Sequence, residues 1–226
     1  MSVLVNVADF ATATEVLGPG KRALIWVQGC PRRCPGCITP HMQTFDVLRT
    51  PMTSDELARR ILAVPGIEGV TFVGGEPFSQ ASGLAECVHT FRQVADLSVV
   101  TYSGYTRGEL EQGDEPGWAD LLAVTDLLID GDYRATEACD LLWRGSRNQR
   151  LHFLTSRYRA LAPTVENARG RVLEVQVTGE GQIRILGIPA AGFFQHLTQG
   201  LLAQGVALQF HHPVTSEREL TTCVSE

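Results

Sequence analysis

The sequence lacks any apolar run of about 18 residues or more, which argues against a transmembrane helix. Basic charge is also in deficit, since 19 Lys and Arg stand against 25 Asp and Glu, for a formal net charge of -6. Nucleic-acid-binding proteins usually carry excess basic charge, so we expect no nucleic-acid partner. The opening MSVLVNVADFATATEV has neither a basic cluster nor a long apolar core and does not resemble a signal peptide. These absences predict a cytoplasmic protein that does not bind membranes.

Cysteine is scarce, with six in 226 residues, yet three of them lie together in the segment QGCPRRCPGC: Cys30, Cys34 and Cys37. Thiols in the cytoplasm are kept reduced, so clustered cysteines there favour metal binding or redox chemistry over disulfides. Proline and glycine around the trio predict a loop.

Three kinds of site fit this trio. Structural zinc needs four ligands, and a fourth would have to come from His41, Cys87, Cys139 or Cys223. Buried thiols without a ligand are the second kind, although such thiols do not usually gather in a loop. A [4Fe-4S] cluster held by three thiolates is the third, and it leaves one iron open, as a catalytic metal centre requires.

Short apolar segments alternate with amphipathic segments up to about residue 156. Strands are predicted at residues 23–28, 69–75, 97–104, 126–130 and 151–156. Helices are predicted at residues 53–64, 79–97, 106–112 and 117–124. Strands that are apolar throughout and alternate with helices predict an α/β fold built from parallel βαβ units.

The unusual residues directly follow the predicted strands. The cysteine segment follows the first strand, and GGEP, YSGY and DGD follow the next three. Ligands of parallel α/β folds gather beyond the carboxyl ends of the strands, so we expect these segments to meet. Taken alone, GGEP is also typical of a tight turn, and the DGD aspartates of solvated turn residues. These strand-end segments are the candidate positions for a ligand site.

The pattern changes after about residue 157. Residues 171–186 alternate around Gly179, Glu180 and Gly181, which predicts an antiparallel hairpin. Residues 190–205 predict a helix, although the glycines in this segment disfavour helical structure. We therefore predict a core over residues 1–156 and a C-terminal extension over residues 157–226 that packs on the core.

The segment CPRRCPGC has the Cys-x3-Cys-x2-Cys form of the radical S-adenosylmethionine (radical SAM) enzymes, and the chain resembles that superfamily. Many members have an aromatic residue just before the third cysteine, where this chain has Gly36. Roughly residues 15–156 resemble the activating proteins of anaerobic ribonucleotide reductase. The resemblance depends on GPGKRALIWVQGCPRRCPGC, GGEPFSQ, YSGYT and DGDY followed by WRGSRNQR.

The resemblance implies a partial, open βα barrel of about five or six parallel strands with helices outside. It implies that Cys30, Cys34 and Cys37 hold a [4Fe-4S] cluster whose open iron chelates S-adenosylmethionine. GGEP would meet the methionyl amino group of this cofactor, and Ser103 and Asp130 are further candidate contacts. The resemblance thus implies six cofactor-binding residues: Gly74, Gly75, Glu76, Pro77, Ser103 and Asp130. WRGSRNQR is either a polar loop or, by resemblance, part of the active-site rim.

The implied enzyme is an oxidoreductase that cleaves S-adenosylmethionine reductively and abstracts a hydrogen atom through a 5′-deoxyadenosyl radical. Its implied target is a glycine on a large partner such as anaerobic ribonucleotide reductase, with flavodoxin or ferredoxin as electron donor. The extension has no counterpart in this resemblance, so two alternatives stay open. They are a radical SAM enzyme acting on another peptide, protein or small molecule, and a non-catalytic iron–sulfur or zinc module.

Overall fold

A computed structural model describes residues 2–177, 183–190 and 192–209. Its main sheet has seven strands: β1 (Leu4–Thr14), β2 (Arg22–Val27), β3 (Thr50–Thr53), β4 (Gly69–Gly74), β5 (Ser98–Tyr102), β6 (Leu127–Asp130) and β7 (Arg150–Phe153). They lie in the order β3-β1-β2-β4-β5-β6-β7. The four strands β2, β4, β5 and β6 are parallel, and antiparallel strands flank them on both sides. The predicted α/β fold with parallel units is confirmed.

The prediction of five or six parallel strands is wrong, because the predicted strand at residues 151–156 pairs antiparallel with β6 as β7. Residues 131–149, which connect these strands, contain one short 3-10 turn (Ala135–Glu137) and no α-helix. Gln149 Nε2 donates to the Gly131 carbonyl at 3.0 Å. The chain therefore enters β7 at the end where it left β6, and a parallel crossover is impossible.

Six α-helices are described: α1 (Ser54–Leu62), α2 (Ala81–Arg92), α3 (Arg107–Gln112), α4 (Trp118–Val124), α5 (Ala162–Val165) and α6 (Phe193–Ala203). The predicted helices of the core correspond to α1–α4. The capping box expected for α1 is present, since the Thr53 hydroxyl accepts from the Glu56 N–H and the Glu56 carboxylate accepts from the Thr53 N–H. Within the described ranges, no helix combines the length and apolarity needed to cross a bilayer.

Both faces of the parallel strands are buried. Alternate residues of β2 (Ala23, Ile25 and Val27) belong to the larger hydrophobic core, which the helices α1, α2 and α4 cover. The intervening residues Leu24 and Trp26 belong to a second hydrophobic cluster on the opposite face. This two-sided burial explains why the strands are apolar throughout.

The residues after the core include a hairpin of β8 (Leu173–Val177) and β9 (Ile183–Gly187), followed by α6. The predicted strands and helix are confirmed, while the predicted turn at Gly179, Glu180 and Gly181 lies outside the described residues. Leu186 is only 2% exposed and belongs to the cluster that contains Leu24. The division into a core and an extension at residue 156 stays a prediction.

Candidate metal and cofactor site

A cavity of about 780 Å³ lies at the carboxyl ends of the four parallel strands. Its volume is within the range of pockets that hold one small-molecule ligand. The residues that line it follow each parallel strand in turn: Cys30, Cys34 and Cys37 after β2, residues 74–76 at the end of β4, Ser103 after β5 and Gly131 after β6. The predicted meeting of these segments at one site is confirmed.

The cysteine loop is closed at its base by backbone hydrogen bonds. The Gly29 N–H donates to the Met42 carbonyl at 2.8 Å, and the Cys30 N–H donates to the Gln43 carbonyl at 2.9 Å. Gln28 Nε2 donates to the Thr44 carbonyl at 2.7 Å. A loop of proline, arginine and glycine is thus held in one position at the end of β2.

The three cysteine side chains are half-buried at the cavity. Burial raises the pKa of the Cys30 thiol, and N–H groups of Arg32 and Arg33 that bond its sulfur oppose this effect. Burial likewise raises the pKa of the Cys34 thiol, although a hydrogen bond from the Tyr133 N–H to its sulfur acts in the opposite direction. Backbone N–H groups directed at sulfur favour the thiolate, which is the form that binds iron.

The donors available at this site are three thiol sulfurs, the ligand type that iron–sulfur clusters take. In the part of the chain that is described, no three His, Cys, Asp or Glu side chains converge as they would around one ion. Each thiolate of a cluster binds a different iron, so the three sulfurs do not need to converge.

The residues considered as a fourth zinc ligand do not lie together at the cysteine trio. His41 lies at the cavity, whereas Cys87 and Cys139 do not line it. Cys87 is fully buried in the hydrophobic core on α2, where burial raises its pKa. Cys139 is buried after β6, and Cys223 lies outside the described residues.

The glycine turn after β4 packs against the backbone that leads into the cysteine loop. The Gly75 N–H donates to the Val27 carbonyl and the Glu76 N–H donates to the Gly29 carbonyl, each at 2.8 Å. A Cβ atom on Gly75 would lie 2.2 Å from the Gly29 carbonyl oxygen. Gly74 has φ +104°, a backbone conformation that favours glycine. Both glycines therefore permit a close contact between two loops of the cavity.

Glu76 joins the ends of β4 and β5. Its side chain is buried, and Oε1 accepts from the Phe78 N–H and the Ser103 hydroxyl, both at 3.0 Å. Oε2 accepts from the Gly104 N–H at 2.7 Å. Burial raises the pKa of Glu76 to about 7, although these hydrogen bonds oppose the shift.

The other predicted cofactor residues differ in position. Ser103 lies at the cavity, with its hydroxyl donating to Glu76 and accepting from the Tyr105 N–H at 3.0 Å. Pro77 is buried at the start of a 3-10 turn and does not line the cavity.

Asp130 is also absent from the cavity wall. Its carboxylate accepts from the Arg107 N–H at 2.5 Å and pairs with His152 Nε2 at 2.9 Å. Burial opposes ionisation of Asp130, but hydrogen bonds from His152 and Arg107 outweigh it and lower the pKa. The structure does not place Asp130 with the other candidates, and its predicted contact with a cofactor is without structural support.

Two groups of cavity residues were not among the predicted ligands. Gly145 and Gln149 of the WRGSRNQR segment line the cavity, in agreement with the expectation that this segment forms part of the active-site rim. Gln149 Oε1 accepts a hydrogen bond from the Gly145 N–H at 2.7 Å. Residues 183–189, which include β9, and Phe194 of α6 form a further part of its wall. No motif in the sequence indicated this second wall, because it depends on how the chain folds back over the sheet.

The family described as "4Fe-4S single cluster domain" matches residues 16–152, which include every cysteine of the trio and the glycine turn. This chain belongs to that family. The 4Fe-4S single cluster domain thus covers all four parallel strands and the loops at their carboxyl ends. An iron–sulfur assignment for the trio agrees with the family description.

The curated relatives that match this chain are named as activating proteins of two enzymes. The chain is 32% identical over 145 residues to the anaerobic ribonucleoside-triphosphate reductase-activating protein of Enterobacteria phage T4, which covers 60% of this chain and 86% of the relative. It is 30% identical over 159 residues to the protein of the same name from Vibrio cholerae, covering 66% of this chain and 99% of the relative. The pyruvate formate-lyase-activating enzyme of Clostridium pasteurianum is 29% identical over 118 residues, covering 50% of this chain and 45% of the relative.

These relatives confirm the resemblance to radical SAM activating proteins that the motifs predicted. The alignment that covers 99% of the Vibrio cholerae protein leaves a third of this 4Fe-4S single cluster protein unmatched. The family match ends at residue 152, before the hairpin and α6.

Proposed function

We propose that the chain is a radical SAM enzyme that generates a glycyl radical on a partner such as anaerobic ribonucleotide reductase. Cys30, Cys34 and Cys37 would hold the [4Fe-4S] cluster, and S-adenosylmethionine would bind beside it at the mouth of a partial βα barrel. The observation that carries this proposal is that the three cysteines and the glycine turn line one cavity, in a chain whose relatives are named as activating proteins.

When bound and reduced, the cluster would supply the electron that cleaves S-adenosylmethionine, so that a hydrogen atom can be taken from the target. This chain's contribution is to bind and orient the reactants. Three thiolates would leave one iron of such a cluster without a protein ligand, and the cavity beside them would provide room for the amino and carboxylate groups of the cofactor.

The methionyl ammonium would be recognised at the glycine turn. Gly74 and Gly75 have no side chains of their own, so a ligand can approach their backbone closely, and the Glu76 carboxylate lies at the same cavity. The Gly74 carbonyl also accepts from the Thr39 hydroxyl at 3.2 Å. A nearby cation would favour the ionised form of Glu76, which burial disfavours. Ser103 orients that carboxylate, and we assign Asp130 to fixing the start of α3.

Glycine is a suitable target because its Cα has no side chain to block approach and its flanking amides delocalise a radical. The electron would come from a flavodoxin or ferredoxin, as the resemblance implies. The wall formed by the hairpin and α6 favours a second candidate, a radical SAM enzyme acting on another peptide, protein or small molecule, since the matched part of the family ends before these elements.

Anaerobic reconstitution followed by chemical reduction tests the proposal. The reconstituted chain should convert S-adenosylmethionine to 5′-deoxyadenosine and methionine. With anaerobic ribonucleotide reductase present, electron paramagnetic resonance should detect a glycyl radical on the reductase. Formation of 5′-deoxyadenosine without that radical would favour the second candidate, and the absence of both products would refute the radical SAM assignment.

A further inference from the structure

Two side-chain amides join the WRGSRNQR segment to the DGDY segment that follows β6. Gln149 Nε2 donates to the Gly131 carbonyl at 3.0 Å, and Asn148 Nδ2 donates to the Asp132 carbonyl at 2.8 Å. Two adjacent amide side chains thus bond two adjacent backbone carbonyls. This double contact holds the backbone that follows β6 in one position.

The orientation of the Asn148 amide follows from its neighbours. Its Nδ2 atom lies 2.8 Å from the Asp132 carbonyl oxygen and 3.4 Å from Asp132 Oδ1, and both of these oxygens accept hydrogen bonds. The donor end of the amide must therefore face them. Asn148 does not line the cavity, whereas its neighbour Gln149 does. A substitution of Asn148 therefore removes no side chain from the cavity wall.

The carbonyl that Asn148 bonds belongs to a peptide unit whose N–H bonds a cysteine. The Asp132 carbonyl and the Tyr133 N–H are the two ends of one planar peptide group, and this N–H donates to the Cys34 sulfur. Because the group is rigid, a bond that holds its carbonyl also fixes the direction of its N–H. A hydrogen bond to the carbonyl further polarises the N–H.

The side chain of Tyr133 also adjoins the cysteine loop. A Cβ atom on Gly36, which lies between Cys34 and Cys37 in the sequence, would be 3.4 Å from Tyr133 Cε1. A Cβ atom on Gly145 would be 3.1 Å from Tyr133 Cδ2. The ring thus fits between the cysteine loop and the WRGSRNQR segment, and it holds the same peptide unit from a second side.

Hydrogen bonds to ligand sulfurs affect how readily an iron–sulfur cluster is reduced. The reduced cluster carries one more negative charge than the oxidised cluster, so an N–H directed at a ligand sulfur stabilises the reduced form more. Such a bond raises the reduction potential. A contact that fixes the Tyr133 N–H would therefore make the cluster easier to reduce.

We propose that Asn148 is a positioning residue that raises the reduction potential of the cluster by holding the Asp132–Tyr133 peptide unit against the Cys34 sulfur. This inference rests on the proposed function, which assigns the cluster to the cysteine trio. It gives the asparagine of WRGSRNQR a task in electron uptake, although its side chain lies outside the cavity.

A redox titration monitored by electron paramagnetic resonance tests the proposal. Asn148→Ala should retain its iron and sulfide after reconstitution but have a more negative midpoint potential. At the midpoint of the unaltered chain, the ratio of reduced to oxidised cluster should be about tenfold lower in the variant, which corresponds to about 59 mV for one electron. Asn148→Leu, which has a similar size but no donor, should show the same shift.

Asn6→Ala is the matched control. Asn6 Nδ2 donates to the Val47 carbonyl at 2.8 Å, the same distance as in the Asn148 contact, whereas the N–H groups that bond the Cys30 and Cys34 sulfurs belong to Arg32, Arg33 and Tyr133. The control should keep the midpoint potential of the unaltered chain. An equal shift in Asn6→Ala, or no shift in the Asn148 variants, would overturn the proposal. Loss of the cluster from both Asn148 variants would also overturn it, because Asn148 would then be required for assembly.

The failure of the proposed function gives a different result. If the unaltered chain assembles no cluster, both the proposed function and this inference fall. If it assembles a cluster and forms 5′-deoxyadenosine while the Asn148 variants keep its midpoint potential, only this inference falls.

The contact between Tyr133 and Cys34 is tested in the unaltered chain by isotopic labelling. With tyrosine labelled with nitrogen-15, pulsed electron paramagnetic resonance of the reduced cluster should detect a coupling to a tyrosine nitrogen, since the Tyr133 N–H bonds a ligand sulfur. The coupling should weaken in Asn148→Leu and stay unchanged in Asn6→Ala. A reduced cluster without any tyrosine coupling would overturn the proposal.

Discussion

The Ser103 hydroxyl donates a hydrogen bond of 3.0 Å to Glu76 Oε1, and this contact joins the ends of two adjacent parallel strands. Glu76 also accepts from the Gly104 N–H, so one buried carboxylate fixes the loop after β5. The same residue follows the glycine turn that contacts the cysteine loop. Loops from three strands are thereby held around one cavity before any ligand binds.

Stability should depend on pH through Glu76. Its pKa is about 7 in the folded chain and lies near 4.5 in the unfolded chain, so the folded state binds the proton more tightly. Glu76 therefore lowers the free energy of unfolding as pH rises from about 4.5 to about 7, by an amount on the order of 3 kcal/mol.

We expect the Glu76→Gln variant, which cannot titrate, to lack this decrease. Urea unfolding of the iron-free chain at a series of pH values measures the difference between the two proteins. Parallel curves for the variant and the unaltered chain would contradict the assignment.

The Gly75→Ala variant should lose cluster binding. Its Cβ would lie 2.2 Å from the Gly29 carbonyl oxygen, so the two loops must separate and the cysteine loop must move. We expect a destabilisation of about 1–3 kcal/mol, typical of overpacking, and a large loss of iron after reconstitution. Gly108→Ala is the control, because Gly108 lies in α3 with open space around its Cβ position and should bind iron normally. Equal iron content in the two variants would show that the contact is not required.

Replacement of Cys30, Cys34 or Cys37 by alanine should abolish the visible iron–sulfur spectrum. Cys87→Ala should retain it, because Cys87 packs in the core on α2 as a small apolar residue. The core variant should lose about 1 kcal/mol of stability from the small cavity that it creates. Iron and sulfide analysis after reconstitution distinguishes the two classes, and loss of iron from Cys87→Ala would mean that the ligand set is different.

Asp130→Asn should affect stability more than cofactor affinity. The variant weakens the hydrogen bond to the Arg107 N–H and the pair with His152, neither of which lies at the cavity. Because its pKa is lowered, Asp130 contributes stability above its unfolded pKa, and that contribution is lost as pH falls through the folded value.

At neutral pH we expect the Asp130→Asn variant to lose about 1–2 kcal/mol in urea unfolding, with an unchanged dissociation constant for S-adenosylmethionine. A tenfold loss of affinity at unchanged stability would restore Asp130 as a cofactor contact.

The convergence of the cysteines with the glycine turn was predictable from sequence because it follows from strand direction alone. Parallel strands end at the same edge, so the segments that follow them meet there. The direction of β7 was not predictable, since it depends on the bond between Gln149 and Gly131 across a loop. The sequence does not indicate β1, because register shifts interrupt its pairing with β2 and its buried residues do not alternate strictly.

The sequence predicted a close backbone approach at Gly75 but not the residue that approaches it. Its position after a strand indicated a close approach, but the backbone that approaches, at Gly29, lies far away along the chain. Asp130 shows the opposite case. It lies at a strand end in the DGD motif, but its carboxylate bonds the Arg107 N–H and His152 Nε2 outside the cavity. Motif position predicts the neighbourhood of a side chain, whereas its partners depend on tertiary contacts.

The most direct test of the account is the electron paramagnetic resonance spectrum of the reduced, reconstituted chain before and after addition of S-adenosylmethionine. A cluster held by Cys30, Cys34 and Cys37 has one iron that the cofactor can bind, so the spectrum should shift when the cofactor is added. An identical spectrum at saturating cofactor, in a chain that contains a full cluster, would mean that every iron already has a protein ligand and would contradict the account.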